Sequence, residues 1–446
     1  MNGKERASYL NWFLIAFSIV CLGLSLQPGK ALWIDEFLHF AVGAYESTSE
    51  AWDIVRASIA GGINHGQTGA YMMVDYWLLR AFGANLFWLR FPSLLAGLLL
   101  YLAALHLFEQ WNLPFRWRLW GCLALFSHPW LMGFVSEARP YMVLAATTLA
   151  ALAYYTTPSQ NRGHFSIRLL GSTGIIAGSL FHPYFLVYWF FVCLFTYFYN
   201  VREQKEGLGW REFVSHCDPL LSLLGLTAYF LLASLTWLPN MHRFDFDPFA
   251  HLNHPFQGFM QAHFGFLWRF KALDTFLAVI GLTAIGIFLP AFRHTRKILI
   301  GPLKVLIGPL VFLIGTFTIS AFLSYLSYRV NYWILPKQWV ASAAFSAVGS
   351  AWLAYSLSTV LHRKLALIWS VLLFVFVIGN SAQQAKENIS RLYASHSNPK
   401  PTELGLTRAS ESPPSSNDEW VLLANLNCST GGPVWPLFRQ FYGKPN

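Results

Sequence analysis

Charge is what this sequence has least of. Asp, Glu, Lys and Arg make up only 12% of its 446 residues, about half the roughly 25% of a soluble domain. A soluble protein of this length would need one to three charged exteriors, and the residues to build them are missing. Cysteine is scarce as well, with five in all. Cys21, Cys122 and Cys193 fall in apolar runs, Cys217 lies in a short polar connection, and only Cys428 lies in the C-terminal tail. That pattern excludes a disulfide scaffold, and no spacing suits a zinc module.

What replaces the charge is apolar surface: 55% hydrophobic residues, 17% aromatics and a mean hydropathy of +0.42. A soluble enzyme is thereby excluded, and the fold class expected is an all-α polytopic membrane protein. Eleven runs approach the length of about 17–25 residues that spans a bilayer. They lie near 9–26, 93–110, 119–136, 140–156, 169–185, 186–200, 219–237, 273–290, 305–326, 334–355 and 365–380. The first is followed by Gln27-Pro28-Gly29-Lys30 and lacks a small-x-small cleavage pattern, so it reads as a retained helix.

The net charge of +10 resolves by position. One set of connections, including Arg116, Arg118, Arg162, Arg293 and Lys297, holds fifteen bases against six acids. The alternate set, before the tail, holds ten of each. Basic loops stay cytoplasmic, so the N-terminus is expected inside and the tail outside. The basic excess then reports topology, and no nucleic-acid partner is expected.

Three outer regions are longer than the connections of about 2–8 residues usual in helical bundles: 27–92, 238–272 and 381–446. The chain is therefore divided into a membrane domain, 1–380, and a small outer tail, 381–446. In the first outer region, 32–46 and 70–83 each combine an apolar-aromatic stripe with a few charges, the pattern of helices lying at the membrane interface. In the tail, 410–417 reads as a flexible link and 420–425 as a short strand.

Four stretches carry groups able to do chemistry. Asp35-Glu36, within Leu32–Phe40, places two carboxylates a few residues beyond the first run. Burial raises and a neighbouring cation lowers a carboxylate pKa, so such a pair is tunable as a base; it also suits a helix start. Asn64-His65-Gly66-Gln67 makes a polar turn. Ser136-Glu137-Ala138-Arg139-Pro140-Tyr141 joins the third and fourth runs and sets an acid and a cation at the hydrocarbon boundary, where both need partners or solvent. Ser327–Lys337 brings Arg329 and Lys337, which can snorkel to headgroups or hold one phosphate. His182, in Phe181-His182-Pro183-Tyr184, stands at another outer helix end.

Taken in order, these stretches resemble the GT-C superfamily of polyprenyl-phosphate-sugar-dependent glycosyltransferases. The nearest likeness is to the branch of protein O-mannosyltransferases and lipid A aminoarabinose transferases. Asp35-Glu36 matches that family's acidic pair, Arg90-Phe91-Pro92-Ser93 its lead into the second span, Glu137–Tyr141 its Glu-Ala-Arg-Pro-Tyr motif, and Arg329–Pro336 its late Arg-Tyr segment. Gly66-Gln67 departs from the two prolines that follow the family's histidine. The likeness covers roughly 10–380.

The resemblance implies transfer of a sugar from a polyprenyl-phosphate carrier to an acceptor hydroxyl of protein, lipid A or polysaccharide. The expected setting is the outer face of a bacterial inner membrane. Asp35 is then expected as base, with Glu36 and Glu137 positioning acceptor or metal. Arg139 is expected on the phosphate, backed by Arg329 and Lys337, and His65, Tyr141 and His182 on substrate. Clustered acids can also take a divalent metal; no other cofactor is expected. The rival class is a transporter or flippase of lipid-linked glycans. It calls for charges along a path through the spans and for repeated halves, neither of which the sequence displays.

Overall fold

A computed structural model describes residues 3–27, 36, 39–40, 42–43, 45–60, 67–83, 85–204, 209–240, 248, 255–268, 297–330, 334–361 and 363–396. Among these residues the regular elements are helical and there is no strand. In chain order they are α1 (Gly3–Ser25), α2 (Thr48–Ala60), α3 (Ala70–Phe82), α4 (Leu86–Gln110), α5 (Phe115–Ser127), α6 (Pro129–Val135) and α7 (Tyr141–Thr156). There follow α8 (Phe165–Phe181), α9 (Tyr184–Gln204), α10 (Trp210–His216), α11 (Pro219–Leu235), α12 (Pro255–Trp268), α13 (Lys297–Arg329), α14 (Val340–Val360) and α15 (Arg363–His396).

The centre is α7. Every residue from Tyr141 to Thr156 is buried, under α4, α9, α14 and α8. Its alanines, 145, 146, 150, 151 and 153, let neighbours approach closely, as small residues do between membrane helices. One close approach is from α8, whose chain widens into a π-turn at Thr173–Ala177. A Cβ on Gly174 there would lie 2.9 Å from the backbone nitrogen of Ala151, so only glycine fits.

Five helices are long and apolar enough to cross a bilayer: Leu86–Gln110, Tyr184–Val201, Val305–Arg329, Lys337–Val360 and Arg363–Ser390. Counting α10 and α11, bent by 67° at their junction, as one span makes six. Tyr9–Ser25, Tyr141–Thr156 and Phe165–Phe181 are apolar but shorter. The chain is thus a helical, membrane-embedded protein, with fewer full-length spans among the described residues than the eleven expected. One reason is local. The run at 119–136 is two helices, because Pro129 starts a new one at its first position and offers no N–H to continue α5. The run at 273–290 lies outside the described residues.

The polar connections separate into two ends. At one, Arg118 Nη1 donates to Glu109 Oε1 at 3.1 Å and to Asn11 Oδ1 at 3.1 Å, joining α1, α4 and α5. At the other, Ser136 Oγ donates to the Ser25 carbonyl at 2.9 Å and accepts from the Gln27 N–H at 2.8 Å. These two clusters lie toward opposite ends of α1, at Asn11 and at Ser25.

Among its described residues, the first outer region holds the whole of α2 and α3. The expected segment at 70–83 is α3. In the expected segment at 32–46, Glu36, His39, Phe40 and Val42 are helical, Gly43, Tyr45 and Glu46 are not, and the rest lies outside the described residues. The other helix, α2, was not anticipated. Its Ala51, Val55 and Ile59 recur at one face and pack with Val42, Tyr45, Met72, Met73 and Tyr76 in a small core of their own. The boundary placed at 380 falls inside α15, which runs on to His396. Gln384 and Asn388 are buried there, and Asn388 Oδ1 accepts from Gln384 at 3.0 Å. The strand expected at 420–425 lies outside the described residues.

Candidate functional site

The turn between α6 and α7, Ser136–Pro140, is the irregular backbone around which the second end is built. A non-helical turn leaves N–H and C=O groups that other segments must satisfy. Glu36 takes one of them: its Oε1 accepts from the Ala138 N–H at 2.7 Å. The same carboxylate receives Arg90 Nε at 3.1 Å and Arg90 Nη2 at 3.4 Å, while Arg90 Nη1 donates to the Gln27 carbonyl at 3.2 Å. Glu36 is fully buried and Arg90 nearly so. Ions buried this deeply persist only when paired and hydrogen-bonded, and both conditions are met. Glu36, expected as a positioning acid for acceptor or metal, makes these contacts with Arg90 and with the backbone of the turn.

From the opposite side, Ser93 on α4 donates from Oγ to the Glu137 carbonyl at 2.5 Å and lies 3.4 Å from the Arg139 carbonyl. Ser93 in turn lies 2.9 Å from the Tyr71 hydroxyl on α3. One turn further along α3, Asp75 Oδ2 lies 2.7 Å from His39 Nδ1, both residues being fully buried. Burial and then the Arg139 charge push the His39 imidazole down to about 3. Burial and then Glu36 hold the Asp75 carboxyl well above the ordinary carboxylate range. The His39 ring meets Tyr71 edge-on at 5.5 Å.

Arg139 and Tyr141 then present the turn to its surroundings. The Arg139 guanidinium lies over the Tyr141 ring at 4.8 Å, and the Lys337 ammonium over the same ring at 5.4 Å. Lys337 arrives on the short 3-10 helix Pro336–Trp339 that leads into α14. The His182 ring, between α8 and α9, sits 5.6 Å from Tyr141. Burial, then Arg139 and Lys337, push its pKa down to about 3, so it is a neutral imidazole beside two cations. His182 Nδ1 accepts from the Tyr184 N–H at 3.2 Å. Two cations against one aromatic ring, with a neutral donor-acceptor beside them, make a place suited to an anion.

Of the residues expected from sequence, the structure brings together Arg139, Tyr141, His182 and Lys337, with Glu137 in the same turn. Arg329 is exposed at the last turn of α13 and makes none of these ring contacts. Asp35 and His65 lie outside the described residues. Among those described, no group of three or more His, Cys, Asp or Glu is arranged to hold a metal ion.

Sequence reasoning paired His39 with Glu36 as a weaker metal reading, quoted Arg90, Ser93 and Tyr71 only as parts of motifs, and assigned no role to Asp75. A signal existed for Arg90, a guanidinium within an otherwise apolar helix that must find a counter-ion. Nothing in the sequence named Glu36, 54 positions earlier, as that ion. No protein-family model, curated protein or solved structure matches the chain.

Proposed function

We propose that the protein is a membrane glycosyltransferase that moves a sugar from a polyprenyl-phosphate carrier to an acceptor hydroxyl at the outer face of the membrane. The observation that carries the reading is the placement of the Arg139 and Lys337 cations against the Tyr141 ring, at a helix end of an apolar bundle. A lipid-linked donor reaches its enzyme through the bilayer, so its phosphate has to be met at such an end. Guanidinium and ammonium groups there stabilise the negative charge that collects on the departing phosphate.

Transfer also requires removal of the acceptor's proton. Asp35 is the group to which we assign it, since Glu36 is held by Arg90 and the Ala138 N–H. The acceptor oxygen forms the new bond to the sugar, the bond from sugar to phosphate breaks with its electron pair leaving on oxygen, and Asp35 retains the proton. Acidic residues near the site leave room for a divalent metal in this reading.

The test uses purified protein in proteoliposomes carrying a polyprenyl-phosphate-linked sugar and a candidate acceptor. Release of free polyprenyl phosphate with sugar bound to acceptor is the expected result. Asp35→Asn, nearly isosteric, should lower that rate by about 10²–10⁴-fold with donor still bound. Passage of the intact glycolipid between leaflets without cleavage would instead indicate a transporter.

A further inference from the structure

The Ser136–Tyr141 turn does not hold itself in place: beside the bonds of Ser136 to Ser25 and Gln27, it is supported by Glu36 and Ser93, from the first outer region and the helix that follows it. Glu36 secures the Ala138 N–H. Ser93 secures the Glu137 carbonyl and stands 3.4 Å from the Arg139 carbonyl, so it grips the turn immediately on both sides of Ala138. The Ser93 hydroxyl has a single proton. When that proton goes to the Glu137 carbonyl, its oxygen is left to accept from Tyr71, which lies at 2.9 Å. The result is a directed chain, Tyr71 O–H to Ser93 O–H to Glu137 C=O, in which each bond polarises the next.

Tyr71 is itself held. It lies in the first turn of α3, buried, with its ring edge-on to His39 at 5.5 Å and to Phe181 at 5.9 Å. Asp75, one turn along the same helix, fixes His39. The hydroxyl of Tyr71 is thus placed by α3, and through Ser93 it sets the backbone from which the Arg139 side chain departs.

We propose that Tyr71 and Ser93 are positioning residues that aim Arg139 at an anionic phosphate on the Tyr141 face. The inference rests on the phosphate-binding part of the function proposed above and assigns that part a support the resemblance did not include. Neither residue need touch the ligand. Each acts by fixing the carbonyls of 137 and 139, so that the guanidinium waits in the geometry a phosphate requires instead of being ordered when it binds.

The experiment measures binding, not transfer. Polyprenyl phosphate is titrated into the full chain in phosphatidylcholine nanodiscs, and melting temperature is recorded on the same samples. Tyr71→Phe and Ser93→Ala each remove one link and should weaken affinity by about three- to tenfold, the worth of one intramolecular hydrogen bond. Ser93→Thr keeps the hydroxyl and should restore affinity to near wild type, which a loss of packing alone would not do. Melting temperatures should fall by no more than the loss of one or two hydrogen bonds in Tyr71→Phe and Ser93→Ala, leaving all three variants folded at the titration temperature. Unchanged affinity in Tyr71→Phe and Ser93→Ala, or a loss that Ser93→Thr does not rescue, overturns the positioning role while leaving the phosphate site standing. Absence of binding by the wild-type protein overturns both.

Discussion

At the scale of single residues, the buried pair Glu36–Arg90 shows how a motif acid can serve structure before chemistry. With both charges taken from water, removing one leaves the other uncompensated, at about 3–5 kcal/mol. Glu36→Gln is therefore expected to lower the melting temperature sharply. Adding Arg90→Met to it should recover much of the loss, since apolar replacement of a whole buried pair is often neutral. Thermal melts of the single and double variants check this; a single variant as stable as wild type would contradict the assignment of Glu36 to the frame.

His182, together with His39, supplies a pH dependence. An ordinary histidine titrates near 6.5, whereas burial, then Arg139 and Lys337, hold His182 at about 3. The unfolded chain therefore binds a proton as pH falls below about 6.5 and the folded chain does not until about 3. The contribution to stability is complete above 6.5 and is lost as pH falls between those values, by at most about 1.4 kcal/mol per unit. Melting temperature should fall from pH 7.5 to 5, and His182→Gln should flatten that slope. An equal slope in the variant would mean that another group carries the dependence.

At the scale of elements, the helices that hydropathy can see were legible. The apolar runs that became α4, α9, α13, α14 and α15 needed only a long stretch free of charge. Two kinds of feature were not legible. Thr48–Ala60 carries Glu50, Asp53 and Arg56, which mask a buried stripe of Ala51, Val55 and Ile59, so a period was present under a polar average. Pro129 breaks a run whose composition alone promised one span. The site was legible in part: Glu137–Tyr141, His182 and Lys337 could be named from motif and helix end. Their supports, Arg90 on Glu36 and Tyr71 on Ser93, are contacts between distant segments that no local pattern encodes.

The junction of α2 and α3 carries its own expectation. Gly69 begins α3 with φ of +80°, in the left-handed region that favours glycine. A Cβ there would stand 2.6 Å from Val55 Cγ1 on α2. Gly69→Ala is expected to cost about 1–2 kcal/mol from the backbone alone, with the contact adding to it. Because α3 holds Tyr71, the same change should weaken polyprenyl phosphate binding. A melt indistinguishable from wild type would show that α3 tolerates another start.

At the scale of the whole molecule, the fold is a set of apolar helices around the buried α7, with the polar machinery gathered at the end where α6 hands over to α7. An acid-cation cluster at the Glu109–Arg118 end and the Tyr141 cluster at the other give the bundle two chemically different faces. Among the described residues, only the second sets two cations on one aromatic ring.

The central claim is that this face receives a lipid-borne phosphate, and a structure of the protein in nanodiscs with a polyprenyl phosphate bound tests it most directly. The account expects the phosphate against Tyr141, within hydrogen-bond reach of Arg139 and Lys337, with the lipid chain leaving along the apolar helices. A phosphate bound at the Arg118–Glu109 end, with the Tyr141 face vacant, would contradict it.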